Sequence, residues 1–194
     1  MNVGRVGQFA IGVAASLALV GAAPSPAMAQ DHDHGASQVS QDPKGLNALV
    51  QIVRQVTAPF PRPEDAEHAG FQLMFGCVTG PDFGAMGMHF VNGQRLDDQI
   101  DAYEPEIILY EPLGNGKFRL LGADYLVDKA AWDAKHPNDP PQLYGQIFQL
   151  IDAPNRFGLD AFYTLHVWAW KDNPNGSYVN WNPNVSCDGF KGQN

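Results

Sequence analysis

Two histidines lie inside apolar, strand-like runs of this chain: His89 in Met86-Gly87-Met88-His89-Phe90-Val91, and His166 in Phe162-Tyr163-Thr164-Leu165-His166-Val167-Trp168-Ala169-Trp170. Imidazole titrates near neutral pH and binds metals through a neutral ring nitrogen. Between them runs an acidic segment that contains Glu106 and Glu111. Two imidazoles with a carboxylate from Glu106 or Glu111 form a ligand set for zinc, manganese, iron or copper, with a position left for water or substrate. Neither histidine belongs to a His-x-His or His-Glu-x-x-His motif, so the site depends wholly on how the strands pair. The competing reading makes each histidine a core residue hydrogen-bonded to a backbone carbonyl or a carboxylate.

The elements that would carry these groups are strands, in which alternate residues share a face. Around the second histidine this sets Thr164, His166, Trp168 and Trp170 on one side, and Tyr163, Leu165, Val167 and Ala169 on the other. Rings beside a histidine suit a pocket, and smaller apolar residues suit a packed layer. Around the first, Ala85, Gly87, His89 and Val91 share a face, and Gly87 leaves room for a ligand or another backbone to approach. The acidic strand places Glu106, Ile108 and Tyr110 together, opposite Ile107, Leu109 and Glu111. Whichever glutamate falls on the apolar side needs a partner, because an unpaired carboxylate there is costly. The pocket expected from these faces is lined by His89, Tyr110, His166 and Trp168.

Along the chain, residues 1–29 read as a cleavable secretory leader. Arg5 is their only charge, Phe9 to Val20 form a short apolar core, and Ala27-Met28-Ala29 is a small-x-small cleavage pattern. That apolar core is shorter than the roughly 20 residues a membrane span needs, so no stable membrane insertion is expected after cleavage. The expected location is periplasmic or secreted. Residues 30–44 lack a hydrophobic period and read as a flexible polar tail, and residues 45–194 as a single domain. A mature chain starting at Gln30 would also present Gln30-Asp31-His32, a minor candidate copper or nickel chelate.

Within the domain, Leu46, Leu49, Val50, Val53 and Val56 recur at helical spacing, and Pro59, Pro61 and Pro63 end that helix. A short helical turn follows over 63–70. Strands are expected at 71–78, 86–91, 106–110 and 117–127, with Asn92-Gly93 and Asn115-Gly116 as tight turns and the latter closing a hairpin. Ala130-Ala131-Trp132 reads as one helical turn. Residues 143–151 fit helix or strand, 161–170 read as a strand, and Asn173-Pro174-Asn175-Gly176 turns the chain toward 178–181 and the closing Cys187. The fold class is α+β: an N-terminal helix packed on a curved, mainly antiparallel sheet or open barrel.

The sequence carries 12 basic and 21 acidic residues, and loss of the leader with Arg5 leaves a net charge of −10. With no sustained Lys/Arg patch, nucleic acid is excluded as a partner on electrostatic grounds. The two cysteines, Cys77 and Cys187, are an even pair in a chain read as exported, which points to a disulfide. Gly84-Ala85-Met86-Gly87 is not a phosphate-binding loop, and no Gly-x-Ser-x-Gly elbow is present.

The segments Gly84-Ala85-Met86-Gly87-Met88-His89-Phe90-Val91-Asn92, Pro105-Glu106-Ile107-Ile108-Leu109-Tyr110-Glu111-Pro112, Phe162 to Trp170, and Trp181-Asn182-Pro183-Asn184-Val185-Ser186-Cys187 resemble a family of small, uncharacterised exported bacterial proteins. The resemblance spans about Gly70 to Cys187. It implies a single extracytoplasmic domain and brings no activity, substrate or cofactor with it. The functions left by the residues are a small-ligand or divalent-metal binding module, an enzyme using the same histidines through metal-bound water or a general base, or a structural protein with core histidines.

Overall fold

The computed structural model describes residues 43–80 and 82–192. The leader, most of the polar tail and the Gln30-Asp31-His32 chelate lie outside the described residues. Eight strands and three helices follow in the order α1 (Pro43–Thr57), α2 (Pro63–His68), β1 (Gln72–Gly80), β2 (Gly84–Val91), β3 (Ile107–Gly114), β4 (Lys117–Asp128), α3 (Lys129–Lys135), β5 (Gln142–Leu143), β6 (Gln146–Ile147), β7 (Gln149–Ile151) and β8 (Phe162–Trp168). Helix α1 begins two residues before the boundary read from the sequence. Six strands form one antiparallel sheet in the order β1-β2-β3-β4-β8-β7, curled into a half-barrel. No helix among the described residues is long and apolar enough to cross a membrane.

Local chemistry accounts for the junctions. Asn115 and Gly116 both take positive φ, 52° and 69°, the backbone that a two-residue turn matched to strand twist requires. That turn joins β3 to β4 as expected. Asn92-Gly93 makes the expected tight turn, closed by the Arg95 amide donating to the Asn92 carbonyl at 3.0 Å; it opens the long connection 92–106, and the Asn92 side chain accepts from the Gln94 amide. Asp128 caps α3 by accepting from the Ala131 amide at 2.7 Å, and this extends the expected single turn to seven residues. Residues 142–151 form three short strands instead of one element. Residues 178–181 form no strand; the Trp168 indole donates to the Val179 carbonyl, and an isolated bridge joins Asn182 to Ala85.

The convex face of the sheet takes the helices. Leu49, Ile52 and Val53 of α1 pack on Ala123, Tyr125, Leu165 and Val167, and Ala66 of α2 joins Phe90, Ile108 and Tyr110. The alternation read along β8 holds as far as Trp168. Beyond it, the amides of Ala169 and Trp170 both donate to the Leu121 carbonyl. Two residues set against one make a bulge, which breaks the alternation. Trp170 is therefore not on the His166 face: it is 45% exposed, and its indole N–H donates to Thr57 Oγ1 at the end of α1. The expected disulfide forms between Cys77 and Cys187, with Cα atoms 5.7 Å apart, and ties the C-terminal segment to β1.

Candidate metal centre

The concave face gathers the chemistry. Registers align Ile107 with Asp124 and Asp124 with His166 across β3, β4 and β8. His89 sits on β2, opposite Leu109, in the neighbouring row. Three strand spacings of about 4.8 Å separate β2 from β8, yet the rings of His89 and His166 lie 5.4 Å apart between centroids. The curl of the sheet brings them together. His89, Asp124 and His166 each offer a ligand atom, and these atoms lie within 4.8 Å of one another. All three side chains are buried, at 3%, 3% and 2% exposure.

Each group is held from behind. His89 Nδ1 lies 3.1 Å from the Gly87 carbonyl; a carbonyl only accepts, so Nδ1 carries the proton and Nε2 is left with its lone pair. Metal-binding histidines are commonly oriented by such a bond from the other ring nitrogen. Gly87 itself, at φ +93°, is approached by the backbone of Tyr110, whose carbonyl oxygen would stand 2.6 Å from an added Cβ. The close approach expected beside His89 is thus made by backbone. Asp124 accepts from Thr164 Oγ1 at 2.6 Å, and its other oxygen lies 3.2 Å from His166 Nδ1. That contact gives His166 Nδ1 a carboxylate neighbour, while His166 Nε2 is buried without a hydrogen-bond partner.

Burial pushes the His89 imidazole down to about 4, helped by the nearby His166 and opposed by Asp124. The ring is neutral at ordinary pH. Burial acts to raise the Asp124 carboxyl, but His166, His89 and Thr164 together outweigh it and hold the group below the usual Asp range. A neutral imidazole, an ionised carboxylate and a second imidazole with an unpartnered Nε2 in one buried cluster match what a divalent metal requires of its ligands. The unpartnered Nε2 of His166 is costly as it stands, and coordination would relieve it.

The carboxylate that joins the histidines is Asp124, not Glu106 or Glu111. Glu106 stands just before β3 and accepts from the Leu126 amide at 3.0 Å. Glu111 accepts from Arg119, from Lys171 and from the Ser186 amide, which pins the C-terminal segment to β3. Both are buried, and each has the partner that burial demands. Tyr110 faces the helices, and its hydroxyl donates to the carbonyls of Phe60 and Arg62, so it does not border the cavity. Trp168 shares the His166 face with ring centroids 5.9 Å apart; its indole donates to the Val179 carbonyl, and it supports His166 from outside the cavity lining. Asp124 went unread because it lies in Gly122-Ala123-Asp124-Tyr125-Leu126. There its only signal is a carboxylate at an alternation-in position of a strong strand.

No protein family, curated protein or solved structure matches this chain.

The cavity in front of the cluster is bordered by Phe75, Met86, Ile107, Phe157, Phe162 and Asn180, among others. The space open there to the centre of a water molecule is about 30 Å³, which suffices for an ion with a water, since one water needs about 10–15 Å³ on this measure. The amide oxygen of Asn180 is a further buried acceptor without a partner.

Proposed function

We propose that this protein is a binding module for a divalent transition metal held by His89, Asp124 and His166. The observation that carries the reading is the convergence of three buried ligand groups, one of them an imidazole whose Nε2 has no hydrogen-bond partner, on one face of the curled sheet. Two nitrogens and one oxygen of intermediate softness suit zinc, iron, copper or manganese. The ionised Asp124 balances part of the metal's charge in a site where burial would otherwise oppose it. The Cys77–Cys187 bond fits an oxidising compartment and supports the extracytoplasmic location read from the leader.

The test is thermal melting of chelator-stripped protein titrated with zinc. A metal that binds only the folded chain stabilises it by about 2.7 kcal/mol at a hundredfold excess over Kd, and Tm should rise with zinc concentration. His89→Ala, Asp124→Asn and His166→Ala should each abolish most of that rise. A wild-type Tm indifferent to zinc, iron(II), copper(II) and manganese, or a rise that all three variants keep, would refute the assignment.

A further inference from the structure

The cavity in front of the His89, Asp124 and His166 cluster shares its apolar walls with a second, larger cavity. Phe75, Ile107, Leu126, Leu159 and Phe162 border both the inner cavity and a larger outer one. The space open to a water centre is about 30 Å³ inside and about 270 Å³ outside. The outer space has room for an organic body such as an aromatic ring.

Polar groups are segregated along this path. At the deep end stand the three ligand groups and the unpartnered Asn180 oxygen. The shared walls are apolar throughout. At the outer end stand Asp97, Asp128 and Asp160, all exposed, and no lysine or arginine borders that cavity.

We infer that the metal takes on its open side a small organic ligand of the azole class: a neutral ring nitrogen with an N–H, attached to an apolar body that lies in the outer cavity. The inference rests on the metal-binding reading. Three protein ligands leave a coordination position free for a donor atom. The apolar walls favour an apolar body by the area it removes from water. The acidic mouth disfavours an anion, since like charges brought together repel. A head with both a lone pair and an N–H meets two needs at once: the metal accepts the lone pair, and the buried Asn180 oxygen gains the donor it lacks.

The experiment uses the full chain, stripped and reloaded with cobalt(II), whose visible spectrum reports changes in coordination. Imidazole, phenylimidazole and phenylacetate are titrated in turn. Phenylimidazole should bind about tenfold more tightly than imidazole, from burial of part of its phenyl ring, and more tightly than phenylacetate. Leu96→Ser, at an exposed position that borders the outer cavity alone, should remove most of that advantage while leaving cobalt uptake and imidazole affinity unchanged. Equal affinities for the two azoles, tighter binding of phenylacetate, or an advantage that survives in the folded variant would overturn the inference and leave the metal centre standing. Failure of the wild-type chain to take up cobalt would overturn the metal reading and this inference with it. The ligand series on the wild-type chain decides the matter even if the variant does not fold.

Discussion

Glu106 should make the stability of this protein fall as pH rises. Its side chain is buried, at 3% exposure, and one oxygen accepts from the Leu126 amide. Burial, reinforced by the charges of Asp124 and Asp97 and opposed by backbone hydrogen bonds, pushes its pKa up to about 8, against 4.5 for the free side chain. The folded chain then keeps a proton that the unfolded chain has already lost. Where the native state holds more protons, unfolding free energy decreases with pH. The contribution is fully present below about pH 4.5 and is lost as pH rises through about 8. One proton gives a slope of at most about 1.4 kcal/mol per pH unit, so the window amounts to roughly 3 to 5 kcal/mol. That is a sizeable part of the roughly 5–15 kcal/mol stability of an ordinary domain. Glu106→Gln keeps a carbonyl acceptor for the Leu126 amide and has no proton to lose. Urea denaturation of both proteins at intervals from about pH 5 to about pH 9 isolates this group, because other titrations cancel in the difference. The variant should gain on the wild type by roughly 3 to 5 kcal/mol across that range and then level off. Parallel curves, or a wild type that gains on the variant as pH rises, would refute the argument.

Cys77→Ser should cost about 2–5 kcal/mol, since the bond closes a separation of 110 residues and long loops restrict the unfolded chain most; a lower Tm under non-reducing conditions checks it, and an unchanged Tm would sink it. Gly87→Ala places a Cβ 2.6 Å from the Tyr110 carbonyl and 2.8 Å from Leu121 Cδ1, at a φ of +93°. The expected loss is roughly 2–4 kcal/mol. Because the Gly87 carbonyl orients His89, zinc affinity of the folded fraction should drop about tenfold to a hundredfold as well. Denaturation and a zinc titration measure the two effects, and a variant with wild-type zinc affinity would separate Gly87 from the site.

Much of the fold was legible because it rests on short-range chemistry. Helix α1 shows in the spacing of Leu49, Val50, Val53 and Val56, and the β3–β4 hairpin in Asn115-Gly116, whose backbone preference suits that turn. The split of β8 into a histidine face and a packing face follows from strict alternation, and it fails at Trp170 because a bulge depends on the hydrogen bonds of the neighbouring strand. The short strands within 142–151 were ambiguous for a related reason: two or three residues are too few to carry a period, and their state is set by the strands they pair with. Asp124 was missed and Glu106 and Glu111 were favoured because all three are carboxylates in or beside apolar strands. Nothing local says which one has a backbone amide or two cations for a partner and which one faces a histidine.

The sequence by itself determined that two histidines occupy strands of one sheet, which faces of β8 would pack and which would line a pocket, and that Cys77 and Cys187 would join. These follow from periodicity, turn chemistry and cysteine count, all properties of neighbouring residues or of the whole composition. Only the tertiary structure decided that His89 and His166 meet, and that Asp124 completes the cluster. On a flat sheet, β2 and β8 would stand three strand spacings apart, about 14 Å. The curl of the half-barrel brings the rings within 5.4 Å of each other, and the β4–β8 register sets Asp124 opposite His166. Curvature and register are settled by the packing of all six strands together, which is why no local run of residues revealed the site.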